Sequence, residues 1–388
     1  MTRFVAGNCV QLLRTGSEYF PALEAACDGA AREIYLETYI FSDDATGQRI
    51  AGALSRAAAR GVFVHVVIDG FGSKDLSADF LQRLRGSGVR VLTFRPQISP
   101  WTLRRERLRR LHRKISVFDA KIAFVGGINI IDDMNTPRQI PPRFDYAVRI
   151  EGPLLADIYP VVTRLWMLVT WTQLHQHWKQ SETLPVQARP CGSQRAAFMV
   201  RDNLRHRTAI ENGYLTAIDG ARSEIFIANA YFFPGKNFRR ALTDAAARGV
   251  RVVLLLQGRV EYVLLHYASR ALYGYFLKAG VEIYEYHRSF LHAKVAVIDD
   301  QWSTVGSSNI DPMSLLLARE ANVMIDDAGF ARELKSSLLD ALNTGAQQLQ
   351  IASWQRQSLP ARAMTWLCYG LARFLTGWSS YGRAREFI

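Results

Sequence analysis

Apolar and polar positions along this chain switch between a helical and a strand period, and the switching repeats. From Ser17 to Arg32 apolar residues recur at helical spacing, with Tyr19, Leu23 and Ala26 on one face. Residues 33–41 then read as a strand and residues 46–60 as an Ala-rich helix that stops at Gly61. VFVHVVID (62–69) is a near-continuous apolar run, the pattern of a strand covered on both faces in a parallel sheet. A helix over 76–86 and the strand VRVLTF (89–94) follow. The second half predicts the same series: helix 207–221, strand 224–231, helix 236–248, strand 250–256, helix 262–279 and strand 281–286. The succession predicts an α/β fold in which each half holds a mostly parallel mixed sheet flanked by helices.

The repetition has the form of a duplication. IYLETYIF (34–41) matches IFIANAYF (225–232), and ALSRAAARGVFVHVVIDG (53–70) matches ALTDAAARGVRVVLLLQG (241–258). The order of segments is kept while the intervening loops differ in length, as copying a whole domain would leave them. The expected boundaries are an N-terminal half at 1–179, a polar linker with two prolines at 180–197, a C-terminal half at 198–347 closed by a helix over 328–350, and a tail at 348–388.

Charge adds a direction. The 388 residues carry 48 Lys and Arg against 35 Asp and Glu, a net charge of +13, which points to an anionic partner: nucleic acid, anionic lipid or a phosphorylated substrate. Cys9, Cys27, Cys191 and Cys368 are scattered, form no metal or redox spacing and are expected as reduced thiols. No signal peptide and no membrane span are expected, because no apolar run of the required length occurs.

The chemistry lies in a doubled motif. His112, Lys114 and Asp119 precede Gly126-Gly127 and Asn129, and His292, Lys294 and Asp299 precede Gly306-Ser307 and Asn309. In both copies Lys stands at +2, Asp at +7 and Asn at +17 from the His. One H-x-K triplet carries no weight, but two sets at identical offsets in the same strand context do. Period-2 alternation puts His and Lys of each copy on one strand face. If the halves are pseudo-twofold mates, with the active site at their interface, two His, two Lys and two Asn converge there. Two ammonium groups and two amides suit the equatorial oxygens of a pentacoordinate phosphorus, and two imidazoles on opposite sides suit in-line displacement. No metal and no other cofactor is then needed. Asp119 and Asp299 sit at an odd offset and face away from the His, so the residues read them as structural turn anchors. Asp145 and Glu320, each opening an apolar strand expected beside the His strand, are the candidates for orienting the imidazoles.

In these residues the chain resembles the phospholipase D superfamily, and within it bacterial cardiolipin synthases of the short type without N-terminal transmembrane helices. The resemblance runs over roughly residues 8–378 and is carried by LETYIF with Asp43-Asp44, RRLHRKISVFDAKIAFVGGIN, DYAVRIEGP, IANAYFFPG and LHAKVAVIDDQWSTVGSSNIDPMSL. It implies that both HxKxxxxD motifs, Asp119 and Asp299 included, belong to the catalytic set. It also implies two phospholipase D-like halves and transfer of a phosphatidyl group between two phosphatidylglycerol molecules, giving cardiolipin and glycerol. The transfer would run through a phosphohistidine on His112, with His292 as acid and base and with Lys114, Lys294, Asn129 and Asn309 as the phosphate clamp. Glu37 matches a family acid, and Asn229 is taken as its counterpart; the two are candidate acceptor-binding residues, with a structural role equally open. The implied setting is the cytoplasmic side of a bacterial inner membrane, with peripheral attachment to anionic phospholipid.

Three segments bear on that setting. Residues 101–113 carry six Arg and one Glu among Trp101, Leu103, Leu108 and Leu111, as an interfacial segment or a solvated helix would. Residues 159–178 read either as an interfacial or as a buried helix. The tail over 360–378, with Trp366, Leu367, Tyr369, Leu371, Phe374, Leu375 and Trp378, reads as a helix lying in the membrane interface or, alternatively, packing on the core. Hydrolysis of phospholipid is the alternative reaction. A nucleic-acid phosphodiesterase is disfavoured, because the aromatics do not interleave with basic residues as stacking platforms.

Overall fold

The computed structural model describes residues 2–95, 109–136, 139–173, 183–202, 206–260, 262–311, 318–355 and 359–381. In chain order the strands of the first half are β1 (Val5–Arg14), β2 (Glu33–Thr38), β3 (Phe63–Asp69), β4 (Arg90–Phe94), β5 (Arg110–Leu111), β6 (Lys114–Phe118), β7 (Ile122–Gly126), β8 (Arg143–Phe144) and β9 (Tyr146–Glu151). Those of the second are β10 (Gln194–Arg201), β11 (Glu224–Asn229), β12 (Arg251–Gln257), β13 (Glu282–Tyr286), β14 (Phe290–Leu291), β15 (Lys294–Ile298), β16 (Trp302–Gly306), β17 (Ala318–Asp326) and β18 (Ala346–Gln348).

One sheet crosses the whole molecule in the order β18-β13-β12-β11-β15-β16-β17-β10-β1-β9-β7-β6-β2-β3-β4. Read outward from its centre, the two arms are copies: β1, β9, β7, β6, β2, β3, β4 against β10, β17, β16, β15, β11, β12, β13. The pseudo-dyad passes between β1 and β10, which pair antiparallel through Val5 opposite Ala196. Each half is α/β and mixed, as expected, but not mostly parallel. Along the main sheet order parallel pairing is confined to β2-β3-β4 and to β11-β12-β13, where helices return the chain. The His strands enter antiparallel because a tight hairpin follows each. Asp119 and Ala120, and likewise Asp299 and Asp300, take positive φ of 50–52° at these turns, the backbone a two-residue hairpin needs.

Helices cover both faces. On one face Leu155–Thr172 and Ala328–Gly345, the same element of each half, close a core that spans the dyad, with Leu155, Ile158, Val162, Leu334 and Leu338 among its buried residues. On the other, Thr15–Gly29, Ala45–Ala59 and Ala78–Gly86 cover the first arm, and Ala209–Gly220 and Lys236–Ala247 cover the second.

Several boundaries differ from the sequence reading. β10 starts at Gln194, inside the expected linker, of which residues 180–182 lie outside the described residues. The helix expected over 262–279 is two, Val263–Arg270 and Tyr273–Lys278, and that over 328–350 ends at Gly345, after which β18 adds to β13. Cys9 and Cys191, far apart in sequence, are neighbours in the fold; burial and this neighbour push the Cys191 thiol up to about 11.

Of the segments with two readings, Leu155–Thr172 is a core helix on its inner face that leaves Met167, Leu168 and Trp171 exposed. The helix Leu359–Tyr381 packs on Val263–Arg270 through Cys368, Ala372 and Tyr369, so it joins the core by a narrow face. It exposes Met364, Trp366, Leu367, Leu371 and Phe374. Residues 101–108, 174–178 and 382–388 and the side chains of Leu375 and Trp378 lie outside the described residues. Among the described residues no helix is long and apolar enough to cross a membrane.

Candidate active site

Each motif histidine is fixed by the opposite half. β5 pairs parallel with β17, and the His112 N–H donates to the Arg319 carbonyl at 3.0 Å. β14 pairs parallel with β8, and the His292 N–H donates to the Phe144 carbonyl at 2.8 Å. The residue after each carbonyl is a carboxylate, Glu320 or Asp145. His112 Nδ1 lies 3.0 and 3.1 Å from the two oxygens of Glu320, and His292 Nδ1 lies 2.6 Å from Asp145 Oδ2. The orienting pairs therefore cross the dyad. β9 and β17 do not lie beside β6 and β15, as the sequence reading has them, but beyond β7 and β16.

The charge states follow from surroundings. Burial alone would raise both carboxylates, but Lys294 beside Asp145 and the His112 ring beside Glu320 outweigh it, and both stay below the ordinary carboxylate range. Burial pushes His292 down to about 3, helped by Lys294. Burial also lowers His112, against the pull of Glu320. Two neutral imidazoles facing ionised carboxylates donate through Nδ1–H, which leaves each Nε2 lone pair free to act. Lys114 Nζ donates to the His112 carbonyl at 2.6 Å and sits over the Tyr39 ring, and burial pushes it down to about 7. Lys294 Nζ lies 2.8 Å from His292 Nδ1, 3.4 Å from Asp145 Oδ2 and bonded to the His292 carbonyl. The Lys294 charge is felt by both His112 and Lys114, which places the two motifs near one another.

Asn129 and Asn309 are buried, and Asn129 Oδ1 accepts from the Ile40 N–H at 3.1 Å. Asn229 lies opposite Lys294 in the β11·β15 ladder, on its face; its Oδ1 accepts from the Ile310 N–H at 3.3 Å and its Nδ2 has no partner among the described residues.

Glu37 is elsewhere. Arg113 points away from the pocket, between His112 and Lys114 in sequence, and holds Glu37 through two hydrogen bonds on the opposite face of the sheet. Burial raises that carboxyl despite the arginine. Glu37 therefore faces away from the reacting groups and is not placed to bind an acceptor. Strand register also makes Ala228 its equivalent, since Glu37 is opposite Ile115 and Ala228 opposite Val295; Asn229 corresponds to Thr38.

Asp119 and Asp299 are likewise outside the pocket, at the far end of the His strands. Asp119 accepts the N–H groups of Ala31, Arg32 and Glu33 at 2.8–2.9 Å, and Asp299 those of Arg222, Ser223 and Glu224 at 2.8–3.0 Å. They tie the hairpin to the start of β2 or β11, and their inclusion in the catalytic set does not hold geometrically.

Three contributors escaped the sequence reading. Asp69, ending the apolar run of β3, accepts the Leu111 N–H at 2.7 Å and so fixes the strand entering His112. Ser307 Oγ donates to Glu320. Gly127 stands at the equivalent place in the first half, where a Cβ would come 2.4 Å from Asp145 Oδ1. The GG and GS dipeptides were visible; which carboxylate pressed on them was not.

A duplicated mixed sheet with paired H-x-K strands at its dyad defines a phospholipase D-like phosphotransfer fold. The family model described as cardiolipin synthase, PLD-like domain, matches residues 23–157 and 214–341, and the chain belongs to that family. It is 41% identical over 343 residues to cardiolipin synthase B of Escherichia coli K12, covering 88% of this chain and 82% of that one. With cardiolipin synthase 1 of Bacillus cereus it shares 27% identity over 358 residues, 91% of this chain and 70% of the relative. Its fold is shared with phosphatidylserine synthase of Haemophilus influenzae, at a TM-score of 0.71 and 13% identity over 97% of each chain.

Proposed function

We propose that this protein is a cardiolipin synthase: it transfers a phosphatidyl group from one phosphatidylglycerol to the headgroup hydroxyl of another, giving cardiolipin and glycerol. The observation that carries the reading is the pair of imidazoles, each held by a carboxylate from the other half and flanked by Lys114 and Lys294. His112 Nε2 attacks phosphorus, and the bond to the glycerol oxygen breaks as His292, which takes up a solvent proton at Nε2 once the anionic phosphodiester is bound, delivers that proton to it. Lys114, Lys294, Asn129 and Asn309 hold the phosphoryl oxygens. Bringing an anionic phosphodiester next to His292 raises its proton affinity toward that of a useful acid. The acceptor hydroxyl then gives its proton to His292 and displaces His112. Family membership and the 41% identity to cardiolipin synthase B support the lipid substrate. We propose peripheral attachment to the cytoplasmic side of a bacterial inner membrane.

The test is mass-spectrometric product analysis on phosphatidylglycerol vesicles, with and without chelator. Cardiolipin and free glycerol are expected in both conditions, and His112→Ala and His292→Ala should each abolish them while melting like the parent. Phosphatidic acid alone would make the protein a hydrolase, and activity lost in chelator and restored by metal would overturn the metal-free mechanism.

A further inference from the structure

The two halves differ beside the reacting groups. In the first, Tyr39 follows β2 and its ring packs edge-on to His112 at 4.8 Å between centroids and beneath Lys114. In the second, Ala230 holds that position, its N–H donating to the carbonyl of Ala293 between His292 and Lys294. A cleft opens there, lined by Tyr231, Gln257, Arg259, Tyr262, His266 and Ser269 together with Ala230. Its inner end adjoins the second motif, since Ala230 lines it and is hydrogen-bonded to Ala293, the residue between His292 and Lys294. At its outer end Tyr262 and Val263 are exposed.

The lining has a chemical bias. Gln257 replaces Asp69 of the first half; it is buried, and its Oε1 has no hydrogen-bond partner among the described residues. A buried amide oxygen left unpaired is costly and marks a place where a donor is wanted. His266 is held neutral by burial, helped by the Arg270 charge. Arg259 borders the cleft, and among its described lining residues there is no carboxylate. These groups suit neutral hydroxyls with an anion behind them and repel an ammonium headgroup.

Resting on the transferase reading, we propose that this cleft is the acceptor subsite: it receives the glycerol headgroup of the second phospholipid, with Gln257 and His266 on its hydroxyls and Arg259 toward its phosphate, and it selects polyols over amino alcohols. The terminal hydroxyl oxygen forms the new P–O bond as the P–Nε2 bond to His112 breaks, and its proton passes to Nε2 of His292. The second half thus supplies acceptor selectivity, and Tyr39 closes the same position in the first.

Full-length Gln257→Leu and Ala230→Tyr, the latter restoring the residue found in the first half, are compared with the parent on phosphatidylglycerol vesicles. The readout is the ratio of cardiolipin to phosphatidic acid, which partitions the phosphatidyl-enzyme between lipid and water. It should fall about tenfold in each, the scale of one lost buried hydrogen bond. His266→Phe gives the same readout should Gln257→Leu fail to fold. An unchanged ratio, or equal loss of both products, in variants that melt like the parent overturns the subsite. In a second arm the parent receives equal deuterated glycerol and ethanolamine; labelled phosphatidylglycerol is expected, and comparable phosphatidylethanolamine would overturn the selectivity. A parent that releases no glycerol counts against the transferase reading itself, whereas a competent parent with indifferent variants counts against the cleft alone.

Discussion

Glu320 belongs to one half and orients the histidine of the other, so each half is chemically incomplete without its copy. Exchanging a carboxylate for an amide keeps the shape but allows the wrong imidazole tautomer, which costs a triad-type site about 10⁴ in kcat. Glu320→Gln should therefore slow formation of the phosphatidyl-enzyme on His112 by about a thousandfold or more. Asp145→Asn should instead impair proton transfer at His292, in both the departure of glycerol and the entry of the acceptor. Rapid-quench trapping of phosphohistidine separates the two, and a label found on His292 would reverse the assigned roles. The pH profile belongs to the same residues. An attacking imidazole must be neutral, and His112 is held below the ordinary histidine value, so kcat/KM should persist below pH 6.5 before falling in acid. Lys114, pushed down to about 7, sheds its charge above that pH and loosens the clamp, so kcat/KM should decline on the alkaline side. For stability the sign is opposite. The unfolded chain holds the lysine proton more tightly, so this group's penalty is relieved as pH rises from about 7 toward 10.5. A kcat/KM that stays flat to pH 9 would mean that Lys114 keeps its proton.

At the scale of elements, the +7 aspartates are hairpin anchors. Asp119 stands at positive φ and accepts three N–H groups from the start of β2. Asp119→Ala should destabilise the protein by about 2 kcal/mol or more, with Asp119→Asn milder because asparagine tolerates that backbone and still accepts. The catalytic His is seven residues away, about 20 Å along an extended chain, so kcat of the folded variant should stay within a few-fold. A collapse of kcat without a lower Tm would return Asp119 to the chemistry. Period-2 alternation had already turned these aspartates away from the His, and it put His and Lys on one face, because strand geometry is local. What it could not give was partnership. Asp145 and Glu320 were legible as strand-opening acids, but nothing local says that β8 meets β14 and β5 meets β17 across a dyad. β1 and β10, the central pair, were missed because VAGNCVQLLR and QRAAFMVR show weak alternation and one fell among linker residues. The hairpin return after each His strand was legible, but the antiparallel pairing of β6 with β2 and of β15 with β11 was not, because nothing local to either strand fixes it. Glu37 was singled out by the resemblance with a structural role equally open, and the buried Arg113 beside it favours the structural one.

At the scale of the molecule, the site lies outside the carboxyl ends of the parallel strands, and so do the elements that fit a membrane. Phe71 after β3 and Tyr262 and Val263 after β12 are exposed on either side of the pocket, with Lys74 and Arg110 stacked on Phe71. The helix Leu359–Tyr381 lies on Val263–Arg270, which itself lines the proposed acceptor cleft. It presents Leu367 and Phe374, 69% and 68% exposed, outward. Apolar side chains of that size gain about 1.5–3 kcal/mol each on full burial, and a net charge of +13 draws them to anionic headgroups. Leu367→Ser with Phe374→Ser should therefore weaken flotation with phosphatidylglycerol vesicles by about tenfold or more. Tm should hardly move, because neither side chain is packed. Raising salt should weaken the remaining attachment further, since only the charge contribution is screened. Because the helix rests on the cleft wall, cardiolipin formation on vesicles should fall with binding, while turnover of a short-chain, micellar phosphatidylglycerol should be largely retained. Undiminished flotation of the double variant would remove this helix as the membrane contact and leave the rim residues Phe71, Tyr262 and Val263 to carry it.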